Sequence, residues 1–125
     1  MAFQDEVEAL AQAYLAAYAA EDAAGCAGGF AEDARLDTPF GPPALGRAAI
    51  AEAHLEWFEE PECDKRMDVV ECGCDGALGW ALLRWSAEVD GPQGGAVRAG
   101  GATLATLRRG EDGWRFHRMA LIPDP

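Results

Sequence analysis

The stretch Ala11–Gly41, AQAYLAAYAAEDAAGCAGGFAEDARLDTPFG, changes its periodicity more than once, and those changes set the class of fold. Extended toward the N-terminus, it begins as a helix from about Phe3 to Ala20. Val7, Leu10, Tyr14 and Tyr18 recur along it at three- and four-residue spacing, with Ala between them. Asp5, Glu6 and Glu8 fall in the first turns, where the helix dipole favours acids. Glu21-Asp22 breaks the pattern, and a second, shorter helix follows over Ala23–Phe30, weakened by Gly25, Gly28 and Gly29. Ala34–Thr38 then reads as a strand, closed by Pro39 and the turn-rich Gly41-Pro42-Pro43. Alternation puts Ala34, Leu36 and Thr38 on one face of it and Arg35 with Asp37 on the other.

Beyond this stretch, a third helix is expected over Arg47–Glu59. Its apolar stripe is Ile50, Ala53, His54, Trp57 and Phe58, with Glu52, Glu56, Glu59 and Glu60 toward water and Pro61 ending it. From residue 63 the pattern becomes extended, with strands near 66–73, 77–90, 96–109 and 113–122. Asp75-Gly76 signals a tight hairpin, and glycine-rich turns separate the other strands. In the strand from Ala77, the residues Ala81, Leu83, Trp85, Ala87 and Val89 share one face, and Trp80, Leu82, Arg84, Ser86 and Glu88 the other. In the last strand, Trp114, Phe116, Arg118, Ala120 and Ile122 alternate onto one face, opposite Arg115, His117 and Met119. Helices first and a strand meander last make an α+β domain with the helices on one side of the sheet. No linker or internal repeat divides residues 1–125.

Composition narrows the function classes. Half the residues are apolar and 26% are charged, ordinary for a globular domain, but the net charge is −12. A field of that sign repels phosphate backbones and anionic membrane surfaces, so neither nucleic acid nor membrane is an expected partner. No apolar run is long enough to span a bilayer, and the N-terminal MAFQDEVEAL carries acids where a signal peptide needs a basic stretch. A cytoplasmic location is expected. Cys26, Cys63, Cys72 and Cys74 lack zinc-site spacing and read as free thiols in a reducing compartment. With no glycine-rich phosphate loop and only two histidines, sixty-three residues apart, no metal or cofactor is expected.

The order of these features resembles the NTF2-like superfamily, in particular its SnoaL-like and ketosteroid-isomerase-like branches. The resemblance is carried by the Ala-rich first helix with Tyr14, the Glu21-Asp22 break, Phe30-Ala31-Glu32-Asp33-Ala34, and the strand reaching Pro39. Gly46-Arg47-Ala48-Ala49-Ile50 matches the start of the family's third helix, and Gly113-Trp114-Arg115-Phe116 its last strand. It implies a cone, with three N-terminal helices packed on a curved, mostly antiparallel sheet and a pocket open at one end. It also implies a homodimer through the outer sheet face, where Trp80 and Leu82 would lie.

The resemblance also points to chemistry. The family's isomerases use a carboxylate base, with a tyrosine and a protonated aspartic acid as hydrogen-bond donors to the enolate oxygen. Tyr14 stands at the tyrosine position and Thr38 at the base position, with Asp37 one residue early. A one-residue slip turns a strand side chain to the other face, so Asp37 serves as base only if a bulge precedes Pro39. The second donor aligns near Thr103 or Leu104, where there is no acid. His54, on the inner helix stripe, is either a core histidine or a base or orienter for Tyr14. The candidate catalytic set is therefore Tyr14, His54 and Asp37. The candidate lining is Tyr18, Thr38, Trp57, Phe58, Leu83, Trp85, Phe116 and Arg118, the arginine being either an anion-binding group or one that reaches water. Two functions fit. One is an isomerase-, cyclase- or hydratase-type enzyme acting on a small apolar carbonyl compound. The other is a module that binds a hydrophobic ligand, or only dimerises, without turnover.

Overall fold

The computed structural model describes residues 2–125. Three helices, α1 (Phe3–Ala19), α2 (Ala23–Ala27) and α3 (Arg47–Trp57), accompany six strands. These are β1 (Phe30–Thr38), β2 (Gly41–Leu45), β3 (Glu62–Asp75), β4 (Leu78–Asp90), β5 (Ala96–Gly110) and β6 (Gly113–Pro123). They form one curved sheet in the order β2-β1-β6-β5-β4-β3. Every pairing is antiparallel except β1 with β6, which is parallel. The helices cover the inner face, giving the α+β cone expected from the sequence.

The core lies where α1, α2 and α3 meet that face. Val7 of α1, Phe30 and Leu36 of β1, Ile50 of α3, Leu83 of β4 and Leu107 of β5 are all buried. Asp22 caps α2, its carboxylate accepting from the Gly25 N–H at 3.0 Å. Arg47, at the start of α3, donates twice to the Phe30 carbonyl, at 3.0 and 2.7 Å, tying the helix to the beginning of β1. Gly46 precedes α3 at φ 91°, a conformation that side-chain-bearing residues rarely adopt.

Several boundaries differ from the sequence reading, each for an identifiable reason. The second helix stops at Ala27, because β1 starts at Phe30 rather than Ala34. The Gly41-Pro42-Pro43 segment is a short strand rather than a turn. Its prolines lack N–H groups, which is tolerable because β2 is the sheet edge and pairs only with β1. The first four residues of β3 lie ahead of the strand expected near 66–73. They pair with β4 across an irregularity between Cys63 and Arg66, where Asp64 adopts φ 50°.

The correction with most consequence is in β6. Leu107 pairs with Phe116 but Thr106 with Arg118, so His117 is an extra, bulged residue. Simple alternation fails there, and the face that held Trp114 and Phe116 continues as Met119 and Leu121. Arg118 is turned outward, exposed, and donates to the Asp33 and His117 carbonyls. It does not enter the pocket. Met119, expected outside, is buried.

Gly101 faces inward between Trp85 and Pro123, and an added Cβ there would collide with the Ile122 carbonyl and the Pro123 Cα. Gly101→Ala is expected to lower unfolding free energy by about 1–3 kcal/mol, measured by urea denaturation, because backbone rather than a flexible side chain must yield. The control Gly41→Ala, whose Cβ meets nothing within 4 Å, should change stability by less than about 0.5 kcal/mol.

Candidate functional site

The helices and the inner sheet face enclose a cavity of about 500 Å³, within the range of roughly 300–1,000 Å³ typical of small-molecule sites. Helical spacing builds one wall. Tyr14 and Tyr18, four residues apart, share the inner face of α1, while His54 and Trp57 face them from α3. The sheet supplies Met67, Trp85, Thr103, Phe116, Met119 and Leu121. Phe40, from the β1–β2 connection, stands edge-on to Trp57 with ring centroids 6.3 Å apart.

The polar centre of this lining is a hydrogen bond of 2.8 Å between Tyr14 Oη and His54 Nε2. The other ring nitrogen of His54, Nδ1, lies 2.8 Å from the Ile50 carbonyl one turn earlier in α3. A carbonyl only accepts, so Nδ1 carries the proton of the neutral ring and Nε2 offers a lone pair. Tyr14 is therefore the donor in the pair. His54 is fully buried and walled by Tyr14, Tyr18, Trp57 and Phe58. Burial depresses its pKa, with the Lys65 charge adding to the effect and the Ile50 carbonyl opposing it. Burial likewise raises the Tyr14 pKa well above its ordinary value, and Cys26, Tyr18 and Glu62 push the same way.

A second polar cluster lies beside the first. Tyr18 donates to Glu62 Oε1 at 2.7 Å, and Lys65 Nζ pairs with the same oxygen at 3.0 Å. The Lys65 ammonium also sits 4.4 Å from the Tyr18 ring centre and 5.6 Å from that of Trp85. Burial raises the Tyr18 pKa, and the Glu62 hydrogen bond and charge reinforce it. Cys26, beneath the pair, is pushed up to about 11, mainly by burial, so its thiol stays protonated and poorly nucleophilic.

Tyr14, Tyr18, His54, Trp57, Trp85 and Phe116 thus border one cavity. Asp37 does not. It lies on the outer side with Arg35, joined by bonds of 2.8 and 3.0 Å, and both side chains are nearly half exposed. The Arg35 hydrogen bonds hold its carboxyl below the ordinary carboxylate range. The irregularity near Thr38 lies between the β1 and β2 registers and leaves the alternation of Arg35 and Asp37 intact. Thr38 borders a smaller groove of about 260 Å³ between β2 and α3. Leu83 is buried behind the cavity wall, and Phe58 packs edge-on against Tyr18 at 5.1 Å. Glu62 and Lys65 escaped the sequence reading because they fall ahead of the strand expected near 66–73. The extra residue in β3 is what brings Lys65 to the cavity. Among the described residues, no cluster of three or more His, Cys, Asp or Glu could hold a metal ion, and no helix is long and apolar enough to cross a membrane.

A curved six-stranded sheet, three helices over its concave face and a largely apolar cavity between them define a small α+β cone domain. The sequence matches the SnoaL-like domain model over residues 11–116, and the chain belongs to that family, within the NTF2-like superfamily. Solved structures agree on the fold. The ketosteroid isomerase-like protein of Erwinia carotovora atroseptica SCRI1043 superposes with a TM-score of 0.82 at 24% identity, covering 98% of this chain and 97% of that one. A Nostoc punctiforme domain of unknown function with a cystatin-like fold gives 0.82 at 19%, covering 100% and 80%. An NTF2-like protein of Novosphingobium aromaticivorans gives 0.75 at 21%, covering 94% and 79%. No curated protein matches the chain.

The unfolded chain binds the His54 proton more readily than the folded one, so this group makes stability rise with pH between its depressed folded pKa and its ordinary value of 6.5. Acidification through that range should destabilise the fold, by at most about 1.4 kcal/mol per pH unit. In His54→Gln, thermal melts across pH should lose this slope. The decline at lower pH, from carboxylates such as Asp37 that arginines hold ionised, should remain.

Proposed function

We propose that this protein binds a small, largely apolar, oxygen-bearing molecule between α1, α3 and the inner sheet, and exchanges a proton with it through Tyr14 and His54. The reaction class is isomerase-, cyclase- or hydratase-type chemistry on a carbonyl compound. The observation that carries this reading is the buried 2.8 Å bond from Tyr14 to His54 in the wall of an otherwise apolar cavity. The pair can relay one proton. A substrate hydroxyl or enol gives its proton to Tyr14 Oη as the Tyr14 proton passes to His54 Nε2, leaving a substrate oxyanion and an imidazolium. The reverse sequence delivers a proton. Trp57, Trp85 and Phe116 would hold the apolar body, and exclusion of water would strengthen the developing charge interactions.

Asp37, paired with Arg35 outside the cavity, favours the second reading, binding without turnover. Melting and turnover assays against enones, lactones and aromatic acids separate the two. Where a compound is turned over, Tyr14→Phe should reduce the rate on the order of a hundredfold, since loss of a positioned proton-transfer group costs about that much. An unchanged rate removes Tyr14 from the chemistry, and stabilisation without product supports the binding module.

The reading includes a homodimer through the outer sheet face in a reducing cytoplasm. Trp80, Leu104 and Ile122 are 43%, 50% and 53% exposed on that face, and Leu82 lies opposite Leu104 across strands β4 and β5. Four unpaired cysteines suit a reducing compartment. Leu104→Glu should convert a dimer to a monomer in light scattering coupled to gel filtration; a wild-type monomer would remove the proposed interface.

A further inference from the structure

Each cavity tyrosine has one hydroxyl proton, and both are committed within the protein. Tyr18 faces a carboxylate oxygen, which can only accept, so its proton lies on the 2.7 Å bond to Glu62. Tyr14 faces His54 Nε2, whose lone pair is fixed by the Nδ1 bond to the Ile50 carbonyl. Both phenolic oxygens therefore retain only lone pairs. Glu62 adds to this bias. Tyr18 and Lys65 both sit on Oε1, and Oε2 has no protein partner among the described residues. Glu56 and Glu60 bring two further carboxylates to the cavity rim. Lys65 is the one cationic side chain among the described lining residues, and it is already paired with Glu62 over the Tyr18 ring.

We infer that the Tyr14–His54 pair of the resting cavity recognises neutral hydroxyl-bearing molecules, which donate a hydrogen bond to the Tyr14 oxygen. A carbonyl or oxyanion of the same skeleton binds at Tyr14 only with uptake of one proton by His54. With Nε2 protonated, His54 donates to Tyr14 and the Tyr14 proton turns toward the ligand. The inference rests on the small-molecule reading of the cavity and concerns its resting state, which takes the hydroxyl or enol form of a ligand, the carbonyl form being held with the added proton on His54. Carboxylates are disfavoured by the three glutamates. Amines are disfavoured because Lys65 already occupies the aromatic face that would hold a cation.

The proton can be assigned to His54 because the other groups around it are accounted for. From α1 it meets Tyr14 and Tyr18, and from β3 Lys65 with its partner Glu62. The α2 thiol of Cys26 stays protonated. Of the strands beside α3, β2 carries no ionisable side chain, and β1 carries Glu32, which is exposed, and Asp33, Arg35 and Asp37, which are held in ion pairs on the outer side. Burial keeps His54 neutral near neutral pH.

Calorimetry with α-tetralol, α-tetralone and tetralin tests this on the full chain, since the three share one skeleton and differ in offering a donor, an acceptor or no oxygen. Near pH 8, α-tetralol should bind about tenfold tighter than α-tetralone, the worth of one well-made hydrogen bond. As pH falls below neutral, α-tetralone should gain affinity with net proton uptake on binding, read from buffers of different ionisation enthalpy. Tyr14→Phe should abolish the preference. In His54→Phe, which frees the Tyr14 proton at every pH, α-tetralone binding should become independent of pH. Tighter binding of α-tetralone near pH 8 without proton uptake would overturn the inference while leaving the cavity a small-molecule site. No binding of any of the three, tetralin included, would count against that site and take the inference with it.

Discussion

The hydrogen bond from Tyr14 to His54 joins two helices that are forty residues apart in sequence, and much of the interior is organised around it. It crosses from α1 to α3 beside an open cavity, where no continuous side-chain packing fills the space. Removing one partner of such a buried bond costs about 1–3 kcal/mol, because the other is left without the water it gave up on folding. The bond also depends on α3 itself. His54 can offer Nε2 to the tyrosine only because Nδ1 is held by a carbonyl of its own helix, one turn back. Helix geometry, burial and proton position are thus one constraint.

Much of the scaffold was legible in the sequence because it follows from local periodicity. The alternation from Ala81 to Val89 placed Ala81, Leu83 and Ala87 correctly in the interior, and helical spacing within α1 and within α3 put Tyr14 with Tyr18, and His54 with Trp57, on inward faces. What escaped were events that involve two strands at once. A bulge adds one residue to a strand relative to its neighbour, and neither strand's composition announces it. At His117 it reversed every later residue of β6, exchanging Arg118 for Met119 at the interior. At Asp64 and Lys65 it occurred ahead of the strand expected near 66–73, and it brought the cavity's cation inward.

The electrostatics divide along the same line. Arg35 with Asp37, Arg84 with Asp124 and Arg108 with Asp33 are exposed pairs, screened by water and salt and worth little to stability. Glu62 and Lys65 are different, with side chains only 18% and 17% exposed. The Tyr18 hydroxyl and ring supply the remaining contacts that complete the pair. An acidic chain thus keeps most of its charge on the surface and admits to the interior a cluster whose members satisfy one another.

Trp57 and Phe58 wall the polar pairs beside the open cavity. Trp57 packs against the core with its ring 4.5 Å from His54, and Phe58 stands edge-on to Tyr18. That arrangement has an electrostatic effect as well as a steric one. By keeping water from the imidazole, the aromatic wall disfavours its charged form, which holds Nε2 as an acceptor and the Tyr14 proton on it. The residues that shape the apolar body of the site are therefore also those that decide which way its central hydrogen bond points. A change in that wall, with no change to Tyr14 or His54, would alter the chemistry available to both.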